Sequence, residues 1–198
     1  MPETMRLFVA LSITAQVREN LAMLIRELRS VDPRQKWVNP ENLHVTLKFI
    51  GEVGSEKLAE IGDALATART TPQIICEFYG VGFFPNERRP NVAWVGIRSD
   101  PSLSLLAGEV NRSLQPLGIP REEKPFVPHL SIARFKETRM SEELRAEIAE
   151  RKNQSFGSVA ANEFYLMESK TKSAGAEYTT LRSFRFAPQG SQRPELWP

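Results

Sequence analysis

The chain contains two histidines, and both stand in the same local pattern: His44-Val45-Thr46-Leu47 and His129-Leu130-Ser131-Ile132. With about 0.4 for an apolar residue and about 0.12 for Ser or Thr, one His acquires this context about 2% of the time, and both do so on the order of once in a few thousand. In a strand, residues i and i+2 project from one face about 6.6 Å apart, so each imidazole has a hydroxyl beside it. Two such strands, side by side or related by a pseudo-twofold axis, present two imidazoles and two hydroxyls to one small anion. Imidazole titrates near neutrality, so one ring can be neutral and take a proton while the other is charged and gives one. Water activation on one side and leaving-group protonation on the other are what in-line phosphodiester cleavage needs. Thr46 and Ser131 then hydrogen-bond the nonbridging phosphate oxygens.

Other chemistries fit less well. A hydrolytic zinc site wants three protein ligands, and two histidines far apart in sequence bring no third at motif spacing, so distant acids are needed to complete one. Neither Thr46 nor Ser131 lies in a G-x-S-x-G turn, which removes the main signal for serine hydrolysis. A noncatalytic RNA- or phosphate-binding module that keeps the clamp for affinity is the alternative of another class. Two titratable rings favour catalysis over it, because binding alone is served by Arg or Lys.

The elements that must position these residues are legible as patterns. Arg6 to Ser12 reads as a strand, followed by a helix with Val17, Leu21, Leu24, Ile25 and Leu28 on one stripe and Pro33 after its end. Leu43, Val45, Leu47 and Phe49 alternate with His44, Thr46 and Lys48, which sends the apolar set into a core, and Gly51 ends that strand. A second helix is expected from Ser55 to Ala68 with Ser55 as its cap. Gln73 to Phe78 and Asn91 to Arg98 read as strands around a loop, residues 80–90, with an apolar base and a basic tip. A helical stripe from Leu103 to Leu117 follows, stopped by Gly118 and Pro120. Then come a strand from Pro128 to Phe135, a helix from Glu142 to Arg151, and strands near 156–160, 163–167 and 178–187. This alternation argues for an α+β fold with helices on one face of mixed or antiparallel sheets, and no glycine fingerprint follows the first strand to suggest a dinucleotide site.

Composition bounds the rest. With 198 residues, 41% apolar and 25% charged, the chain is an ordinary globular one, and its formal charge of +2 is too small for a general nucleic-acid wrapper. The single Cys76 sits in an apolar strand pattern and cannot form an intrachain disulfide. No run approaches the roughly 20 apolar residues of a membrane span, and the first residues do not resemble a signal peptide, so a cytoplasmic protein without membrane contact is expected.

Three longer stretches carry a family resemblance: residues 6–11, the run Trp37-Val38-Asn39-Pro40-Glu41-Asn42-Leu43-His44-Val45-Thr46-Leu47-Lys48-Phe49-Ile50-Gly51, and Pro128-His129-Leu130-Ser131-Ile132-Ala133-Arg134. Together with residues 163–169 and 178–181 they resemble the RNA 2′,3′-cyclic phosphodiesterase family, also called the 2′-5′ RNA ligase family, of the 2H phosphoesterase superfamily. The resemblance implies a bilobal, pseudo-twofold α+β domain over residues 1–190, each lobe supplying one His motif to a central cleft, with 191–198 as a loose tail. It implies metal-independent hydrolysis of an RNA or nucleotide 2′,3′-cyclic phosphate to a 2′-phosphate by a monomer without cofactors, and in some members reversible 2′-5′ joining of tRNA halves. A related enzyme acting on another substrate, such as ADP-ribose 1″,2″-cyclic phosphate, shares these motifs.

Carried over residue by residue, His44 becomes the general acid toward the 3′ oxygen and His129 the general base on water. Ser131 stands where Thr is commoner in the family; the hydroxyl is kept and the stiffening methyl is lost. Arg134 is expected to help bind phosphate, but five residues from His129 strict alternation puts it on the wrong face unless a bulge reorients it. Lys48 has the parity to reach the substrate. Phe83, with Phe84, Trp37 and Trp94, is expected as a stacking platform, with Arg88 and Arg89 on flanking phosphates. Tyr178 lines the site by resemblance.

Overall fold

The computed structural model describes residues 4–137, 139–172 and 175–186. The expected tail at 191–198 lies outside them. In chain order the elements are β1 (Thr4–Leu11), α1 (Ala15–Val31), β2 (Lys36–Trp37), β3 (Val45–Gly54), α2 (Leu58–Ala66), β4 (Ile74–Phe84), β5 (Val92–Arg98), α3 (Ser102–Leu114), β6 (His129–Arg134), α4 (Glu142–Glu150), β7 (Ser155–Ala161), β8 (Glu163–Lys172) and β9 (Gly175–Arg185). They build two sheets, a four-stranded one in the order β3-β1-β8-β9 and a five-stranded one in the order β2-β6-β5-β4-β7. Every paired neighbour is antiparallel. The α+β, two-lobed architecture expected from the sequence is the one observed.

The lobes are tied together by helices that cross between them. Helix α1 follows β1 of the first sheet yet packs against β7 of the second, where Asn20 Nδ2 donates to the Phe156 carbonyl at 3.0 Å. Its five stripe residues, Val17, Leu21, Leu24, Ile25 and Leu28, are all buried, each contributing about 1.5–3 kcal/mol. Thr14 caps it by accepting from the Val17 amide, and Asp32 closes its end on the Leu28 carbonyl. Helix α3 follows β5 but touches β3 as well as β4, and α2 packs on α3 and β9. One continuous apolar core therefore runs through both sheets. Among the described residues no helix is long and apolar enough to cross a membrane.

Several elements differ from the sequence expectation. Gly51 does not end β3: it takes a left-handed φ of 90°, which glycine adopts without penalty, and the strand continues to Gly54. Ser55 does not cap α2; Ser55–Lys57 form a 3-10 turn running straight out of β3, and the helix starts at Leu58 with no side-chain cap. Much of the expected loop at 80–90 is strand, since β4 reaches Phe84 before the chain turns over a cis Phe84–Pro85 bond. The two-residue β2 carries no sequence signal of its own.

Candidate active site

Each histidine stands at the head of a strand on the seam between the sheets. His44 immediately precedes β3, an edge strand, and His129 opens β6, whose outer neighbour β2 pairs only with Ala133 and Arg134. The half of β6 bearing His129 and Ser131 is thus left open on that side, and β3 lies against β6. The approach to His44 is rigid. Asn39 accepts from the Glu41 amide and Pro40 opens a 3-10 turn, Pro40–Asn42, whose Pro40 carbonyl accepts from Arg18 Nη1 of α1 at 2.6 Å. Asn42 Nδ2 ties the same turn to the Ala176 carbonyl on β9 at 2.6 Å.

The two rings are held alike. His44 Nδ1 lies 2.7 Å from the Asn42 carbonyl, and His129 Nδ1 lies 2.7 Å from the Val127 carbonyl, in each case two residues upstream. A carbonyl oxygen can only accept, so the neutral ring carries its proton on Nδ1 and turns the Nε2 lone pair outward. An aromatic supports each ring: Phe8 at 4.8 Å under His44, and Phe84 at 4.9 Å, edge-on, against His129. Tyr178 packs edge-on against His44 at 5.2 Å and against Phe8 at 5.0 Å, so the three rings form one cluster. Burial pushes both imidazoles below the ordinary histidine value against the raising effect of the carbonyl bond, and the positive charge of Arg18 adds to the lowering at His44. His44 is the more enclosed of the two.

The hydroxyls sit where the pattern requires. Thr46 pairs across the ladder with Ala10, placing it on the face that holds Phe8 and His44, away from core residues Val9 and Leu11. Ser131 pairs with Trp94, whose ring lies so close over β4 that a Cβ on Gly82 would meet it at 2.3 Å. Neither hydroxyl has a hydrogen bond within the protein among the described residues. The indole N–H of Trp94 is buried without a partner as well.

Two bulges then alter the facing of side chains beyond each motif. In β3 the pairing passes from Ala10↔Thr46 to Val9↔Lys48, so Leu47 is extra and the alternation flips. Lys48, expected on the substrate side, instead shares the core side with Val9. It is 4% exposed, and its Nζ donates to the Pro120 carbonyl at 2.7 Å and to Glu122 at 3.3 Å, bridging the lobes. Phe49 takes the site face, opposite Phe8, and is 55% exposed. In β6 the pairing passes from Trp94↔Ser131 to Ala93↔Ala133, so Ile132 is extra and Arg134, opposite Val92, comes onto the same face as His129 and Ser131. The conflict posed by Arg134 is resolved by this bulge.

The aromatic platform shifts by one residue. Phe83 pairs with Ala93 on the core side, packing on Phe135, whereas Phe84 pairs with Val92 on the site side and touches both His129 and Trp94. Trp37 packs on the core, its indole N–H donating to the Asp32 carbonyl at 2.9 Å, so it offers no stacking face. Arg88 and Arg89 are exposed on a turn whose amides are held by Asn86. The sequence does not mark Phe8, Phe49 or Arg18 as site residues. Phe8 lies in an unbroken apolar run, which signals a strand covered on both faces; nothing in the sequence marks the bulge that exposes Phe49. No three His, Cys, Asp or Glu side chains cluster at metal-ligating distance among the described residues.

Comparison with known proteins bears on this arrangement. Residues 17–172 match the profile of the 2′-5′ RNA ligase superfamily. An RNA 2′,3′-cyclic phosphodiesterase of Archaeoglobus fulgidus is 39% identical over 180 residues, covering 91% of this chain and 99% of the relative. A protein of the same name from Methanothermobacter thermautotrophicus is 34% identical over 181 residues, covering 91% and 98%. Among solved structures, Escherichia coli LigT complexed with 3′-AMP superposes with a TM-score of 0.75 at 26% identity over 93% of this chain and 99% of that one.

Proposed function

The chain belongs to the 2′-5′ RNA ligase superfamily, in its RNA 2′,3′-cyclic phosphodiesterase branch, and from that premise we propose that this enzyme hydrolyses RNA or nucleotide 2′,3′-cyclic phosphates to 2′-phosphates, with His44 as acid and His129 as base. The observation that carries the reading is the pair of imidazoles held by matching 2.7 Å carbonyl contacts, each beside a hydroxyl without a partner among the described residues.

With the cyclic phosphate between the rings, Thr46 and Ser131 donate to its nonbridging oxygens. Water attacks phosphorus in line with the bond to O3′, and His129 Nε2 takes its proton. His129 is the ring solvent reaches more readily, which suits it to activate water. As the P–O3′ bond breaks, the developing alkoxide takes a proton from His44 Nε2, leaving a 3′-hydroxyl and a 2′-phosphate. Each ring ends with the charge the other began with, so the acid and base exchange protons with solvent before the next turnover. A 5′-hydroxyl in place of water runs the same transfers to a 2′-5′ linkage, which is the route to ligation. No step requires a metal ion.

Incubation with adenosine 2′,3′-cyclic phosphate in EDTA, with the 2′ and 3′ isomers separated by chromatography, tests the reading. The expected product is the 2′-phosphate alone. Formation of 3′-phosphate overturns the choice of leaving oxygen, and no turnover of this compound or of short cyclic-phosphate RNA replaces the enzyme with a phosphate-binding module.

A further inference from the structure

Beyond the histidine pair, the face that carries His129 and Ser131 continues to an unrelieved pair of cations. Arg134 is flanked in the ladder by Val92 on β5 and by Lys36 on β2. Directly opposed residues of antiparallel strands point to one face, so the Lys36 and Arg134 side chains emerge together on the site side. Trp37, the next residue of β2, turns the other way into the core, which fixes the direction of Lys36 independently. Both cations are exposed, and among the described residues neither makes a hydrogen bond or an ion pair.

What sets the pair apart is that the two cations oppose each other directly across one ladder. Two positions upstream, Arg34 is matched to Asp32 by two hydrogen bonds of 2.9 and 3.0 Å. Like charges facing each other across a ladder are unfavourable, and here no carboxylate relieves them. The backbone beneath is stiff: Asp32 and Gln35 are buried and bonded to each other, and the Trp37 indole is pinned to the Asp32 carbonyl. The cations are also spaced away from the reacting phosphate. Val92 and Trp94, which face Arg134 and Ser131, are two residues apart on β5, a separation of about 6.6 Å along the sheet.

We propose that Lys36 and Arg134 form a second phosphate subsite, which takes the internucleotide phosphate on the 5′ side of the terminal cyclic-phosphate nucleotide. The inference rests on the proposed function for the identity of the first phosphate. Its consequence is selectivity: an oligoribonucleotide end engages both subsites, whereas a lone nucleoside cyclic phosphate engages one. Lys36 contributes only through the second.

Equilibrium binding of the products tests the subsite without depending on turnover. The ligands are adenosine 2′-phosphate and the dinucleotide ApA carrying a terminal 2′-phosphate, titrated calorimetrically into wild type, Lys36→Gln and Lys36→Arg. Wild type is expected to bind the dinucleotide about five- to tenfold more tightly than the mononucleotide. Lys36→Gln is expected to lose that advantage with its Kd for the mononucleotide at the wild-type value, and Lys36→Arg to restore it. The salt dependence of dinucleotide binding should also fall in Lys36→Gln, by a slope of about 0.7 for one lost contact to a single strand. Equal affinity of wild type for the two ligands, or the same loss for both in Lys36→Gln, overturns the subsite. Turnover of the corresponding cyclic phosphates is followed in parallel; its absence with the binding pattern intact removes the catalytic reading and leaves the subsite standing.

Discussion

At the heads of β3 and β6 the backbone treats an imidazole in the same way, fixing Nδ1 on the carbonyl two residues back and placing an aromatic within 5 Å of the ring. Five residues after each histidine the likeness has gone: β3 offers Phe49 and β6 offers Arg134. Each strand spends one bulged residue between the hydroxyl and that position, so the divergence lies in side chains on a shared backbone plan. A fully symmetric clamp would accept a cyclic phosphate either way round. In the proposed mechanism, proton transfer uses the part that is repeated, and orientation the part that is not. An apolar surface of Phe49 and Tyr178, backed by the buried Phe8, on one lobe suits a sugar or base, and cations on the other suit phosphate.

The repeated part is broken most severely by removing a ring. His44→Ala and His129→Ala are each expected to lower kcat by about 10² or more, with the thermal unfolding midpoint showing that the fold persists. Since the rings act as a unit, the double variant should be little slower than the slower single one. EDTA is expected to leave the wild-type rate unchanged. A single variant within threefold of wild type would remove that ring from the proton-transfer path.

Much of this plan is legible in residue order, because its larger features follow from periodicity. The α1 stripe, the alternation from Leu43 to Leu47, and the two His-x-Ser/Thr pairs are short-range patterns that burial or a shared face enforces. What is not legible arises from ladder register. A bulge at Leu47 withdraws Lys48 from the site and another at Ile132 delivers Arg134 to it, although both lie in sequences that read as regular strands. Phe83 and Phe84 are adjacent aromatics, and only their pairing with Ala93 and Val92 decides which one meets His129. Lys36 belongs to a strand too short to show a pattern, and Arg18 reaches the turn before His44 from another element.

Arg18 also separates the lobes electrostatically. The proposed acid–base pair needs one charged and one neutral ring, so kcat/KM should be bell-shaped in pH, with both limbs displaced to the acid side of ordinary imidazole because burial lowers both groups. A nearby positive charge disfavours the imidazolium, so Arg18→Gln raises the His44 value and moves one limb to higher pH. Arg18→Lys keeps the charge while altering the contact with Pro40, and should leave that limb in place. Identical displacement in both variants would mean that Arg18 acts through the 3-10 turn alone.

The smallest expected effect concerns the hydroxyls, where the lobes differ by one methyl. Thr46 faces Ala10 across its ladder, and an alanine leaves room for a branched neighbour. Ser131 faces Trp94, whose indole already fills the space over Gly82 and comes within 3.3 Å of a Cβ on Gly96. With the strand order β6-β5-β4, that indole leans over β4, away from Ser131, so it does not explain why this lobe carries serine. A methyl at position 131 stiffens the side chain without removing its hydroxyl. Ser131→Thr is therefore expected to keep kcat within about threefold of wild type, the hydroxyl being retained. Ser131→Ala, which removes the hydroxyl proposed to donate to the phosphate, should cost more. A hundredfold loss in Ser131→Thr would show that the added methyl turns the hydroxyl away from the phosphate and that the two lobes are less alike around their anion than their backbones are.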